Sequence, residues 1–253
     1  MVVFNFLLIL NYFLNFIYKI KITIMFYENL FYFDIETVGQ YKDLYSLKEN
    51  DEKGYELFIK KFKNNPWMAE RHEDVNSAYL EYSPIFSSFG KIVCISFGYF
   101  HNKNDQGYTV MSIYGDDEEK IVKEFNTLLY KVGQKNMLLS GYRITSFDIP
   151  WVLHKLHKYD ITPSKIIDIY GLKPWEMRFI DLADEWKQKF KYYNTFDEVC
   201  YELGVESPKD DIDGSMVHST YWYQNDLDRI KTYCEKDVYS SMLVGKKILS
   251  HKL

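Results

Sequence analysis

The sequence predicts an α/β fold, a mixed sheet with its first strand at the centre and helices covering both faces. Three observations carry this. A short apolar run near residue 30 reads as a buried strand, two further strand patterns follow as a hairpin, and the chain then alternates helix, strand, helix and strand before closing on helices. The 253 residues suit one large domain, and no composition break divides them.

Asn29 to Glu36 is the first strand. Side chains alternate along a strand with period two, so Asp34 and Glu36 share one face. Gly90 to Phe100 is the second strand and Tyr108 to Tyr114 the third, joined through the short polar stretch His101 to Gly107. Between the first two strands lies an insertion, about residues 38–89, rich in Lys, Glu and Tyr. Its mixed charge and Pro66-Trp67 suggest short helices on the domain's edge, read either as a solvated excursion or as a flap that touches substrate.

Asp116-Asp117 caps a helix with Ile121, Val122, Phe125, Leu128 and Leu129 on one stripe, ending near Gly133. Met137 to Tyr142 follows as a strand. Proline is favoured in a helix's first turn, so Ile149-Pro150 places Asp148 at or near the N-cap of a helix running to His157. Ile180-Asp181-Leu182 ends another strand. The last helix runs from Asp226 to about Leu249, with Leu227, Ile230, Cys234, Val238 and Leu243 at helical spacing, and Tyr233 and Asp237 on a shared face.

Four acids, Asp34, Glu36, Asp148 and Asp237, therefore stand on regular elements, where together they make sense as a cage for hard divalent cations. Taken alone each has an ordinary explanation: Asp148 as a helix cap, Tyr233 as a core aromatic with its hydroxyl at the surface. Asp181 reads as structural and Glu235, off the Asp237 face, as solvated. His154, Lys155, His157 and Lys158 suit phosphate contacts and a solvent-facing helix surface equally well.

Composition bounds the rest. Hydrophobic residues at 47% and charged residues at 26% are ordinary for a globular core. The 18% aromatic share, with 23 Tyr and 18 Phe, follows a bias toward residues with A/T-rich codons. A formal charge of -5 argues against coating nucleic acid by bulk electrostatics, yet bound cations reverse the field where a phosphate must sit. Cys94, Cys200 and Cys234 are scattered and odd in number, which points to a reducing, cytoplasmic compartment. No repeat, P-loop or dinucleotide fingerprint occurs.

Residues 1–24 are apolar and aromatic, with Lys19 and Lys21 as the only charges. They read as a membrane segment of marginal length interrupted by Asn5, Asn11 and Asn15, or as sequence upstream of a true start at Met25; a secretory signal matches poorly. Residues 25–253 then form the single domain.

The Asp34-Ile35-Glu36-Thr37 strand, the segment from Ser140 to Pro150 and the helix Tyr233-Cys234-Glu235-Lys236-Asp237-Val238 resemble, in order, the three exonuclease motifs of the DEDD superfamily. Tyr233 four residues before Asp237 marks the tyrosine (DEDDy) subgroup. Within it the chain looks most like the predicted 3'-5' exonucleases related to the proofreading domain of family B DNA polymerases. Phe89 to Ser96, Phe179 to Leu182 and Lys209 to Ser215 support the likeness, which spans about Leu30 to Leu249.

The resemblance implies a ribonuclease H-like fold and hydrolysis of phosphodiester bonds with two divalent ions, Mg2+ or Mn2+, about 4 Å apart. It implies that Asp34 bridges both ions, that Glu36 and Asp237 complete the site of the nucleophilic water, that Asp148 holds the second ion, and that Tyr233 orients the water. The implied substrate is the 3' end of single-stranded DNA, with aromatic residues stacking on bases and nucleoside 5'-monophosphates as products. RNA is the alternative substrate, and a non-catalytic nucleic-acid-binding module of the same fold the alternative class. With no polymerase sequence following Leu253, the expected partners are a polymerase or replication and repair proteins in trans, and a membrane only if the leader is real.

Overall fold

The computed structural model describes residues 29–101, 107–173, 176–208 and 211–250. The apolar leader, most of the hairpin turn and Lys209-Asp210 of the supporting segment lie outside the described residues.

The sheet has the strand order β3-β2-β1-β4-β5, with β1 (Leu30–Gly39) in the middle. It pairs antiparallel with β2 (Gly90–Phe100), which pairs antiparallel with β3 (Tyr108–Tyr114). On its other edge β1 runs parallel to β4 (Leu138–Gly141), and β4 runs parallel to β5 (Phe179–Asp181). The sheet is therefore mixed, as the order of elements predicts.

Period two divides β1 between two cores. Phe31, Phe33 and Ile35 pack with α5 (Glu118–Gln134) and α6 (Asp148–Lys158). Leu30 and Tyr32 pack on the opposite face with Val238 and Met242 of α10 (Leu227–Leu249), together with α7 (Leu182–Lys187) and α8 (Phe196–Leu203). The close approach of α10 needs a glycine: a Cβ at Gly245 would lie 2.5 Å from the Tyr32 hydroxyl. Since Asp34 and Glu36 lie on the α10 face, the packing of this helix brings Tyr233 and Asp237 over them.

The insertion folds into four helices, α1 (Leu44–Asn50), α2 (Glu52–Lys63), α3 (Pro66–Arg71) and α4 (Val75–Tyr82). It is not a solvated excursion. Phe58, Met68 and Tyr79 are wholly buried in a small core, where the Phe58 ring meets Tyr79 and Phe89 edge-on, each at 5.1 Å. The last short helix before α10 is α9 (Val217–Trp222), and its His218 ties the insertion to the sheet. The Gly39 amide donates to His218 Nδ1 at 3.0 Å, and Nε2 lies 2.9 Å from the Lys42 carbonyl.

Sequence-based boundaries hold for β2 and β3, while β1 runs three residues beyond Glu36 because a bulge after Glu36 keeps it paired to Gly90. Among the described residues no helix is long and apolar enough to cross a membrane.

Candidate metal centre

Asp34, Glu36, Asp148, Tyr233 and Asp237 all line one open cleft of about 450 Å³. Each arrives by a different route. Asp34 and Glu36 come from neighbouring same-face positions of β1, and Tyr233 and Asp237 from one turn of α10.

Asp148 is not a helix cap. Phe147 occupies the N-cap position of α6 without a side-chain capping bond, and Asp148 is the first helical residue. Its Oδ1 accepts a hydrogen bond of 3.0 Å from the backbone amide of Ile35, between the two β1 acids. Strand β4 accounts for this. It pairs with β1 only from Leu30 to Tyr32, and at Gly141 a Cβ would lie 2.7 Å from the Phe33 carbonyl oxygen, so the chain turns away there. A buried amide needs a partner, and the Asp148 carboxylate supplies it.

The turn that delivers Asp148 is held by Asp181. Its carboxylate accepts from the amides of Arg143 and Thr145 at 2.9 and 3.0 Å, from the Thr145 hydroxyl at 2.6 Å and from the Ala183 amide at 3.0 Å. Asp181 is thus structural, as its sequence position suggests. Arg143 takes a left-handed backbone conformation (φ 62°) within this turn and lines the cleft beside Tyr142, Ser146, Phe147 and Phe196, its guanidinium lying over the Tyr193 ring, 5.0 Å from the ring centre. Tyr142, Arg143, Ser146 and Phe147 lie within the motif segment Ser140 to Pro150, whereas Phe196 has no sequence signal of its own and arrives only through α8.

The electrostatics favour cations. Burial first, then the Asp148 and Asp237 carboxylates, hold Asp34 well above the usual carboxylate range. Glu36 is raised by burial and by Asp34, while Asp148 is pushed up to about 7, mainly by burial and against the lowering effect of the Ile35 amide. The leading influences on Asp34 and Glu36 are thus burial and like charge. Carboxylates crowded in this way fit hard divalent cations, which take oxygen ligands.

Tyr233 is nearly buried and hydrogen-bonds to Asp237. Burial and the neighbouring acids push its phenol well above the ordinary value, so it stays protonated and able to donate. Cys234, which sequence reasoning treats only as a small core residue, also reaches the site. Its Sγ lies 3.5 Å from Asp34 Oδ2, and Asp34, Glu36 and Cys234 each place a donor atom within 4.8 Å of the others. Burial and the adjoining Cys94 push this thiol up, so it serves Asp34 as a hydrogen-bond donor.

Two expectations change. Glu235 is not free in solvent: the Ser112 hydroxyl donates to it at 2.8 Å and Lys231 pairs with it at 3.3 Å, fastening α10 to β3. Lys155 is buried and unavailable to phosphates, since its Nζ lies 3.2 Å from Glu118 and donates to the Ser87 and Gly90 carbonyls. Lys158 joins Glu118 at 2.9 Å, and His154 Nδ1 bonds the Ser87 hydroxyl at 2.8 Å.

Comparison with known proteins gives the chain a family and relatives of its fold. Residues 79–249 match the family model described as the RNase H superfamily, a span that includes Asp148, Tyr233 and Asp237 but begins after β1. No curated protein sequence matches the chain. Among solved structures, the family B DNA polymerase of the hyperthermophilic archaeon Pyrobaculum calidifontis superposes with a TM-score of 0.53 at 15% identity, over 87% of this chain and 24% of the polymerase. This chain thus spans about a quarter of that protein, and the likeness is one of fold. The RNase domain of the yeast Pop2 protein aligns over 87% of this chain and 82% of its own, at 13% identity and a TM-score of 0.38.

Proposed function

The chain belongs to the RNase H superfamily, and from that premise we propose that it is a metal-dependent 3'-5' exonuclease that removes nucleotides from the 3' end of single-stranded DNA. The observation that carries this reading is the meeting of Asp34, Glu36, Asp148 and Asp237 in one cleft, with Tyr233 bonded to Asp237. A nuclease-like fold and a candidate cation site are the coarser basis.

In this reading Asp34, Glu36 and Asp237 would hold one divalent cation, and Asp148 with Asp34 would hold a second, as Mg2+ or Mn2+. When bound, such ions supply Lewis acidity, a nucleophilic water and stabilisation of the leaving 3'-oxygen. The protein's own groups do the rest. Tyr233, fixed by Asp237, keeps its proton and orients the attacking water with its hydroxyl. Arg143 supplies positive charge at the cleft wall for a backbone phosphate, and Phe147, Phe196 and Tyr142 offer faces on which unpaired bases stack. We favour single-stranded DNA over RNA on the resemblance of the motifs around Asp34, Asp148 and Tyr233-Asp237 to those of the polymerase-related exonucleases.

The test is incubation of the purified protein with 5'-labelled DNA and RNA oligonucleotides in Mg2+, Mn2+ or chelator. A 3'-shortening ladder on DNA that Asp34→Ala abolishes is expected. Absence of a ladder on both polymers in every metal sinks the proposal, and a ladder on RNA alone moves the activity to exoribonuclease.

A further inference from the structure

The loop that joins α7 to α8 lies outside the residues that line the acidic cleft. Its sequence sets a lysine at every second position, Lys187, Lys189 and Lys191, with Phe190 and Tyr192 alternating among them and Tyr193 following. These rings are not packed away: Phe190 and Tyr192 are each 64% exposed and Tyr193 is 46% exposed. Large rings left in water forgo the free energy of burial, and three of them beside three lysines on one short loop mark a binding surface.

The loop is fixed at both ends. Gln188, in a left-handed conformation (φ 48°), closes α7, and the Phe190 amide donates to the Lys187 carbonyl at 2.8 Å. The Tyr193 hydroxyl donates to Asp184 at 2.7 Å, the Trp186 indole donates to the Asn194 side chain at 3.1 Å, and Thr195 opens α8 with a capping box. The surface is therefore preformed.

It also continues the cleft. Tyr142 of the cleft wall donates its hydroxyl to the Asn194 carbonyl at 2.5 Å, and Lys187 joins Arg143 over the Tyr193 ring, 3.7 Å from its centre. Lys191 lies 5.2 Å from the centre of the Tyr192 ring, which meets Phe190 edge-on at 6.4 Å. A strip of cations and rings thus runs from the wall of the acid site out along the loop. Its alternation identifies the occupant. Single-stranded nucleic acid alternates phosphate with base, and proteins hold it by setting cations against the one and stacking aromatics on the other. An acidic protein would use the lysines and leave the rings in water.

We propose that the Lys187–Tyr193 loop holds the strand on the 5' side of the scissile bond, a track outside the cleft that makes binding and turnover depend on strand length; the assignment rests on the nuclease reading above. Lys187, Lys189 and Lys191 take phosphates, and Phe190 and Tyr192 take bases.

The experiment measures fluorescence anisotropy of the full chain with two 5'-fluorescein single-stranded DNA oligonucleotides in Ca2+ at several salt concentrations. One has about three nucleotides, too few to leave the cleft, and the other about 20. The wild type is expected to bind the longer strand about tenfold more tightly or better. Lys187→Gln, Lys189→Gln and Lys191→Gln together should remove most of that margin and lower the slope of log affinity against log salt by about 2, since each phosphate contact on a single strand contributes about 0.7. Phe190→Ser with Tyr192→Ser should weaken binding of the longer strand about fivefold or more with the salt slope unchanged. Neither set touches the acids, so affinity for the short strand and the Mn2+-induced rise in Tm should stay at wild-type values. In Mg2+ the ratio of kcat/KM for long and short strands should fall with the affinity ratio. Equal affinity for the two strands, no binding of either, a length preference untouched by both sets, or an equal loss on both strands overturns the proposal. A length preference that the substitutions remove, without cleavage in Mg2+ or Mn2+, keeps the track and defeats the exonuclease reading; cleavage indifferent to strand length does the reverse.

Discussion

The Asp148 carboxylate accepts the Ile35 amide at 3.0 Å across 113 residues of sequence, so one side chain both completes the β1 backbone and contributes to the acidic cleft. These duties separate by substitution. Asp148→Asn keeps an acceptor oxygen and should retain stability while losing cleavage. Asp148→Ala orphans a buried amide and should cost a further ~1–3 kcal/mol, measured by urea denaturation in chelator. Equal stability of the two variants contradicts this division.

Burial and the crowding of carboxylates raise Asp34, a strain that bound cations would relieve. Mn2+ or Mg2+ should raise Tm, by an amount corresponding to about 2.7 kcal/mol at a hundredfold excess over Kd. Asp34→Asn should raise the stability of the metal-free protein by ~0.5–2 kcal/mol and abolish the metal response, as read by calorimetry with and without metal. A full metal response in that variant removes Asp34 from the site.

For Tyr233→Phe the ring stays packed and only the hydroxyl is lost. Single-turnover cleavage should slow by up to about 100-fold through loss of orientation, with the metal-induced rise in Tm unchanged. Unaltered turnover takes Tyr233 out of the mechanism.

The contact that His218 of α9 makes with the start of the insertion should be pH-sensitive. Burial lowers its pKa below the ordinary 6.5, outweighing the Lys42 carbonyl and Asp43, which act in the opposite direction. Because the folded value is depressed, the unfolded chain binds more protons in the window between them. His218's contribution is complete above pH 6.5 and is lost as pH falls through the folded value. His218→Gln keeps a donor and an acceptor but does not titrate. Its fall in Tm between pH 7 and 5.5 should be shallower than that of the wild type, and parallel curves would falsify the assignment.

Glu118 and Lys155 form a buried ion pair at 3.2 Å, and burial pulls the lysine down to about 8 despite its partner. Removing the acid strands the cation, so Glu118→Ala should cost ~3–5 kcal/mol. Lys155→Met replaces a buried charge with packing and leaves Glu118 with Lys158 and Tyr159, so it should cost less. Chemical denaturation of both variants checks the order.

Much of this protein is legible in the chain alone. Local periodicity puts Asp34 with Glu36 and Tyr233 with Asp237, because strand and helix geometry sets which neighbours share a face. It also marks β2, β3 and the long C-terminal helix, whose apolar spacing is self-contained. Partners far apart in sequence depend instead on how the elements pack. That Asp148 bonds Ile35 rather than capping its helix follows from β4 ending early beside β1. That Lys155 is a core cation, that Cys234 lies under Asp34, and that a charged insertion closes on Phe58 and builds a pocket beside Glu36 are likewise matters of tertiary contact. Residue pattern determined the faces and the acids they present; only packing decided what those faces meet.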